Sequence, residues 1–317
     1  MADVSRDRGQ LIILTGLIVA VTMVALVLLL NTAIYTENLA SRGADQSGRE
    51  AMEYRTVVVD DVGELIDEEN AREHGSYTDV RTNVEDGIEV YDNLTAKSYA
   101  TGGTITYVNQ SASAMTVTRG KLVRQTNSSR RFRNESEALN DWRLASGVND
   151  DEIRDFRLTV NQGDLNSGDS FAFNVRLDDG SNTWQAYVYD KGGSEVAVSI
   201  SLDGGASTTE VCSVSAPEAT VDLTRGTIEG EPCPGLDWAE GLTSDYTVEY
   251  RHGENATGTF NVTIDDTEAS IESSNLDSTP SSAVYVVHAV YSASFNIVFE
   301  SPSLTYETPV RVAPGEP

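Results

Sequence analysis

Residues 171–202 read FAFNVRLDDGSNTWQAYVYDKGGSEVAVSISL. Phe171, Phe173, Val175 and Leu177 alternate with Ala172, Asn174 and Arg176. Trp184, Ala186 and Val188 follow the turn DDGSN, and Val196, Val198, Ile200 and Leu202 follow KGGS. Side chains on a strand point to opposite faces in turn, so this period of two predicts a meander of half-buried antiparallel strands.

The same pattern extends outward. Ile105 and Tyr107 alternate with polar residues after Gly102-Gly103, as do Phe156, Leu158 and Val160. Tyr246, Val248 and Tyr250, then the turn HGENAT, then Phe260, Val262 and Ile264 predict a hairpin. Residues 283–299 are long, apolar and β-branched, and suit one central strand or two with a bend at Ser292-Ala293-Ser294. Residues 127–152 interrupt the strands, and Glu135 to Leu144 predict a short helix. More than 200 residues can fill one or two β modules, and strands at this spacing suggest a sandwich.

Upstream the period lengthens. Met52, Val59, Val62 and Ile66, with Val58 and Leu65 beside them, repeat at helical spacing. After a turn at His74-Gly75-Ser76, Tyr77, Val80, Val84, Ile88, Tyr91 and Leu94 step by three or four. Two such helices joined by so short a turn form an antiparallel hairpin, with Gly43 and Gly48 expected to loosen the first. Residues 11–30, LIILTGLIVAVTMVALVLLL, carry no charge and rise about 30 Å as a helix, the thickness of a bilayer core. Arg6 and Arg8 before the run favour the N-terminus inside and the rest outside.

The fold class expected is therefore α+β. It comprises a leader (1–9), a transmembrane helix (10–35), a helical stalk or hairpin (36–100) and an antiparallel, sandwich-like β-rich extracellular domain (101–317). The stretch Arg8 to Arg42, RGQLIILTGLIVAVTMVALVLLLNTAIYTENLASR, resembles the N-termini of haloarchaeal type IV pilin-like membrane proteins. That resemblance covers about a tenth of the chain and implies cleavage by a prepilin peptidase between Gly9 and Gln10. Many pilins carry Glu at the fifth mature position, where Leu14 stands here. The departure points from a major, filament-building pilin toward a minor or accessory subunit, or a plain anchor.

The formal net charge is −28, and only three of 22 basic residues are lysine: Lys97, Lys121 and Lys191. Such acidity suits concentrated salt, where the screening length falls to about 3 Å at 1 M, and it argues against binding nucleic acid. The melting temperature should therefore rise with salt, and melts across a salt series that show no dependence would contradict this reading.

Cys212 and Cys233 form either two thiols or one disulfide; an exterior location favours the disulfide, and the stretch between them, with Pro217, Gly226, Gly230 and Pro232, reads as an excursion from a sheet. Six N-x-S/T sequons, at Asn93, Asn109, Asn127, Asn134, Asn255 and Asn261, mark glycan acceptors on an exported chain. Catalytic chemistry finds no motif: His74, His252 and His288 are scattered, with no metal-ligand spacing, nucleophile elbow or phosphate loop. Asp164-Leu-Asn-Ser-Gly-Asp169 reads as a polar turn before an incomplete Ca²⁺ loop, and Arg130, Arg131 and Arg133 pair most simply with Glu135 and Glu137. The expectation is no enzyme, cofactor or metal. The expected function is a cell-surface structural subunit of a type IV pilus-like assembly, with membrane lipid and other pilin-like subunits as partners; the alternative is a membrane-anchored extracellular binding module.

Overall fold

The computed structural model describes residues 4–111, 113–267, 269–280 and 282–317, with the side chains of 4–19 and 33–45 outside the description. Helix α1 (Val4–Ala71) is continuous for 68 residues, about 100 Å at the α-helical rise. Gly43 and Gly48, expected to loosen it, lie within it. Tyr54, Val58, Val62 and Ile66 are fully buried at a spacing of four, whereas Met52 is exposed. Helix α2 (Tyr77–Ala100) starts where the Ser76 side chain accepts the Asp79 amide, satisfying a donor that the helix leaves unpaired. Its Val80, Val84 and Ile88 are buried, but Leu94 is exposed. The helices pack closely at Gly87, where a Cβ would sit 2.8 Å from the Leu65 methyls.

Among the described residues sixteen strands follow. They are β1 (Ile105–Asn109), β2 (Thr116–Gln125), β3 (Trp142–Val148), β4 (Ile153–Asn161), β5 (Phe173–Asp178), β6 (Thr183–Gly192), β7 (Glu195–Ser201) and β8 (Thr209–Ser215). Then come β9 (Glu218–Asp222), β10 (Thr227–Ile228), β11 (Glu231–Pro232), β12 (Tyr246–Arg251), β13 (Gly258–Asp265), β14 (Ser270–Ile271), β15 (Tyr285–Ser301) and β16 (Leu304–Val312). They form two antiparallel sheets. One runs β1-β15-β2-β13-β4-β9-β10-β11 with β16 beside β15, and the other runs β14-β3-β12-β5-β6-β7-β8. The chain is thus α+β.

The sheets share one core, in which Phe156, Leu158, Val221, Phe260 and Val262 of the larger sheet join Leu144, Phe173, Val175, Trp184 and Tyr250 of the smaller. A second core lies between the helices and the β1–β15–β16 end of the larger sheet. It is built from Tyr54, Val58, Val62, Val84 and Ile88 against Phe295, Ile297, Phe299 and Val310. Half-buried strands alternate because each sheet needs an apolar face only toward its neighbour.

Three expectations are corrected. Residues 135–141 are turns and bends rather than a helix, and Trp142 opens β3. The segment between the cysteines is no excursion: β9 pairs with β4 and carries the chain from one sheet to the other. Phe171, expected to face inward at the head of a strand, lies before β5 and is 72% exposed. Among the described residues no helix is long and apolar enough to cross a membrane; the side chains of Leu11 to Val19, in the run read as a span, lie outside them.

Candidate functional site

Two features of α1 frame the site: what its first part exposes, and what holds its last part. Side chains from Ala20 to Thr32 are exposed on every face of the helix, with Leu29 at 71%. A helix that is apolar all round calls for apolar surroundings all round, in contrast to the single stripe of Tyr54 to Ile66.

The far end is clamped by two strand irregularities. In β15 an extra residue, Tyr291, stands between Val290 and Ser292, which pair with Arg119 and Thr118. The bulge frees backbone groups at Val290, and Asn70 of α1 takes both: Nδ2 donates to Val290 O at 2.9 Å and Oδ1 accepts Val290 N at 2.8 Å. In β4 the register slips between the pairs Arg157–Asn261 and Arg154–Thr263, with Asp155 in the left-handed region at φ +53. The slip turns Arg154 away from the face of Phe156 and Leu158 and toward the helices.

Arg154 is fully buried. Its guanidinium donates to Tyr291 O (2.8 Å), Val290 O (3.0 Å), Pro314 O (2.7 Å) and Asp67 Oδ1 (3.1 Å). One side chain thereby joins α1, β4, β15 and the C-terminal segment. Glu316 completes the closure, accepting the Tyr291 hydroxyl at 3.0 Å and pairing with Arg311.

Beside this clamp lies a polar concavity of about 210 Å³, lined among others by Asp67, Asn70, Arg124, Asp155, Arg157 and Asn261. Arg157 lies 2.7 Å from Asp155 and 2.9 Å from Asp222. Burial outweighs the Arg157 charge and pushes the Asp155 carboxyl up to about 6. The folded chain then holds this proton more tightly than the unfolded chain. The resulting stability is fully present below about pH 4 and is lost as pH rises through about 6. Asp155→Asn, which tolerates the left-handed backbone, should gain stability relative to the parent on going from pH 4 to pH 8. Paired denaturant melts at the two pH values check this, and a difference that does not change with pH would refute it.

The remaining sequence-derived residues are scattered. Cys212 and Cys233 are joined, with Cα atoms 5.4 Å apart. Because Cys212 lies in β8 and Cys233 directly follows β11, edge strands of different sheets, the bond ties the sheets together at one margin. Changing both to Ser should cost about 3 kcal/mol by the chain-entropy estimate for a loop of this length. Hydrogen exchange should rise first in β8 and β9–β11, and an unchanged melt would remove the bond from the stability account.

Of the six sequons, Asn93 and Asn127 are exposed and Asn109 is half-buried. Asn134 is buried, donates to Ser136 Oγ at 3.0 Å and accepts Leu139 N at 2.9 Å, which disfavours a glycan there on the folded chain. Asn255 and Asn261 also use the nitrogen a glycan would need, donating to Phe171 O at 2.7 Å and to Asp155 Oδ2 at 2.6 Å. Gly9 and Gln10 lie within α1, but their side chains are outside the described residues.

Arg130 is buried and donates to the carbonyls of Asn134 and Glu135, both at 2.7 Å, and to Glu137 Oε1 at 3.3 Å. His74 pairs with Glu69 at 3.0 Å, and His288 lies 3.1 Å from Lys121. Burial, then the Lys121 charge, lowers the His288 pKa. Asp164 accepts Thr257 Oγ1 and Asp169 accepts Thr208 Oγ1, so the acidic turn is tied internally. Among the described residues no three His, Cys, Asp or Glu side chains are grouped to hold a metal ion. Sequence reasoning missed Arg154 and Asn70, whose roles depend on bulges that alternation does not reveal.

These features define a β protein of two sheets that carries a long helix, clamped at one end and apolar at the other. Residues 5–138 match the model of a family of unknown function, DUF7261. The match takes in α1, α2, β1, β2 and the Arg130 loop, and ends before β3. No curated protein and no solved structure matches the chain.

Proposed function

We propose that this chain is a cell-surface structural protein, a pilin-like or accessory subunit of a type IV pilus-like assembly. One observation carries the reading. A single helix runs without interruption from a segment that is apolar on all faces to a stripe locked onto a β domain. Such a helix sits in lipid through residues 10–35, with the C-terminal domain outside, and bundles with like helices on assembly. Small residues at helical spacing, Gly16 and Ala20, allow the close approach that bundling between apolar helices requires.

Replacing both by Leu keeps the segment apolar and removes the close approach. The variant should reach the membrane at the normal level and be lost from filaments or pilus-sized complexes. Entry at the wild-type level would exclude this helix face as the assembly surface. A wild-type chain that never joins a larger complex would favour the membrane-anchored binding module instead. Mass spectrometry of the mature N-terminus tests processing: a start at Gln10 is expected, and an intact leader would leave a permanent anchor.

A further inference from the structure

The outer face of the smaller sheet carries a concavity that the assembly reading does not use. It measures about 360 Å³ and is bordered by Asp169, Phe171, Tyr187, His252 and the turn from Gly205 to Thr208. Phe171 is the most exposed large apolar side chain among the described residues. Its backbone is left-handed, at φ +60, and His252 across the concavity is left-handed too, at φ +54. Bulky residues in that region carry strain of about 1–3 kcal/mol each, which surrounding structure must offset. Here Asn255 Nδ2 donates to Phe171 O at 2.7 Å, and the His252 ring meets the Phe171 ring edge-on at 5.8 Å. The fold thus spends structure on holding an aromatic ring in solvent.

The floor is polar. Tyr187 is 8% exposed, and its hydroxyl has no hydrogen-bond partner among the described residues. Gln185, 6% exposed, has an Oε1 without a partner. Both atoms lie next to Gly205, where a Cβ would fall 2.6 Å from the Tyr187 oxygen and 3.4 Å from Gln185 Oε1. The absent side chain leaves the Tyr187 hydroxyl open to the concavity, with Gln185 Oε1 buried beneath it. Asp169 keeps acceptor capacity beyond its bond to Thr208. Neither lysine nor arginine lines the concavity, which disfavours an anion.

We propose that this concavity binds one ring of a neutral saccharide. The C–H face of the ring stacks on Phe171, its hydroxyls donate to Asp169, and one accepts from the Tyr187 hydroxyl. The volume falls at the lower end of the roughly 300–1,000 Å³ typical of small-ligand sites. Buried polar groups of this kind are matched by a ligand that both donates and accepts hydrogen bonds.

The test uses the full chain in a polyoxyethylene detergent, which carries no sugar, in molar salt. Methyl glucoside, methyl galactoside, methyl mannoside and N-acetylglucosamine are titrated at millimolar concentration by saturation-transfer NMR. At least one should bind. Phe171→Gly removes the ring while relieving the left-handed backbone, so it should keep the parent's melting temperature and weaken binding at least tenfold. Tyr187→Phe should weaken it severalfold. The proposal is overturned if none of the four sugars binds or if binding survives Phe171→Gly. It is equally overturned if tetramethylammonium or sulfate displaces the sugar more strongly than a second sugar does. None of these results depends on whether the chain assembles.

Discussion

Replacing Arg154 by Met should cost about 3–5 kcal/mol, because it strips a charged donor from several buried carbonyls at once. That is a large part of the roughly 5–15 kcal/mol that holds an ordinary domain together. The side chain is fully buried. Its loss leaves the carbonyls of Tyr291 and Pro314 short of a donor, and each unsatisfied buried group costs about 1–3 kcal/mol. Arg154→Lys should recover little, because an ammonium cannot span four acceptors in a fixed fork. The damage should also be regional. Hydrogen exchange should rise in α1 near Asp67 and Asn70 and at the C-terminal segment, while the core around Phe173, Trp184 and Tyr250 stays protected. A loss under about 1 kcal/mol, or a uniform rise in exchange, would mean that Arg154 is not the clamp.

Gly258→Ala should be comparably severe, at about 3–5 kcal/mol. Gly258 opens β13 at φ +156, and a Cβ there would overlap the Thr159 carbonyl of β4 and meet the Phe132 ring at 3.0 Å. Its own backbone is engaged on both sides: N–H donates to Arg130 O at 3.1 Å, and its carbonyl accepts Gln125 Nε2 at 2.8 Å. The strand cannot move aside without breaking the Arg130 loop. Gly163→Ala is the control, since nothing lies within 4 Å of its Cβ position; it should fall within about 0.5 kcal/mol of the parent. Similar melts for the two variants would refute the steric argument.

The regular parts of the fold were legible because local pattern and tertiary need agree in them. Val80, Val84 and Ile88 step along one helix face and are buried there, and Val175 and Leu177 alternate because one face of β5 meets the core. Legibility fails where a few residues break the period. The run from Glu135 to Leu144 has apolar residues at helical spacing, but the buried Arg130 guanidinium gathers the carbonyls of Asn134 and Glu135 into a loop instead. Phe171 shares the parity of Phe173, yet its positive φ takes it out of the strand. Arg154 shares the parity of Phe156, and a single bulge sends it to the opposite face. Strand β16 was hidden by Pro309, a residue that strands accept only at an edge or bulge. For the candidate site, the apolar helix could be read directly. Its clamp could not, because Asn70 and Val290 are 220 residues apart and neither carries a local sign of the other.

That separation sets an order of events during synthesis. Helix α1 emerges first, but β15 and the Pro314 carbonyl that receive it are made more than 200 residues later. At about 5–20 residues per second, the helix waits roughly 10–40 s for its dock. Throughout that interval its apolar part is already exposed, while the stripe from Tyr54 to Ile66 has only α2 to lean on. On the proposed surface-anchored reading, insertion of the first part of the helix can therefore precede folding of the domain. The last bonds to form are those that fix the helix to its β domain.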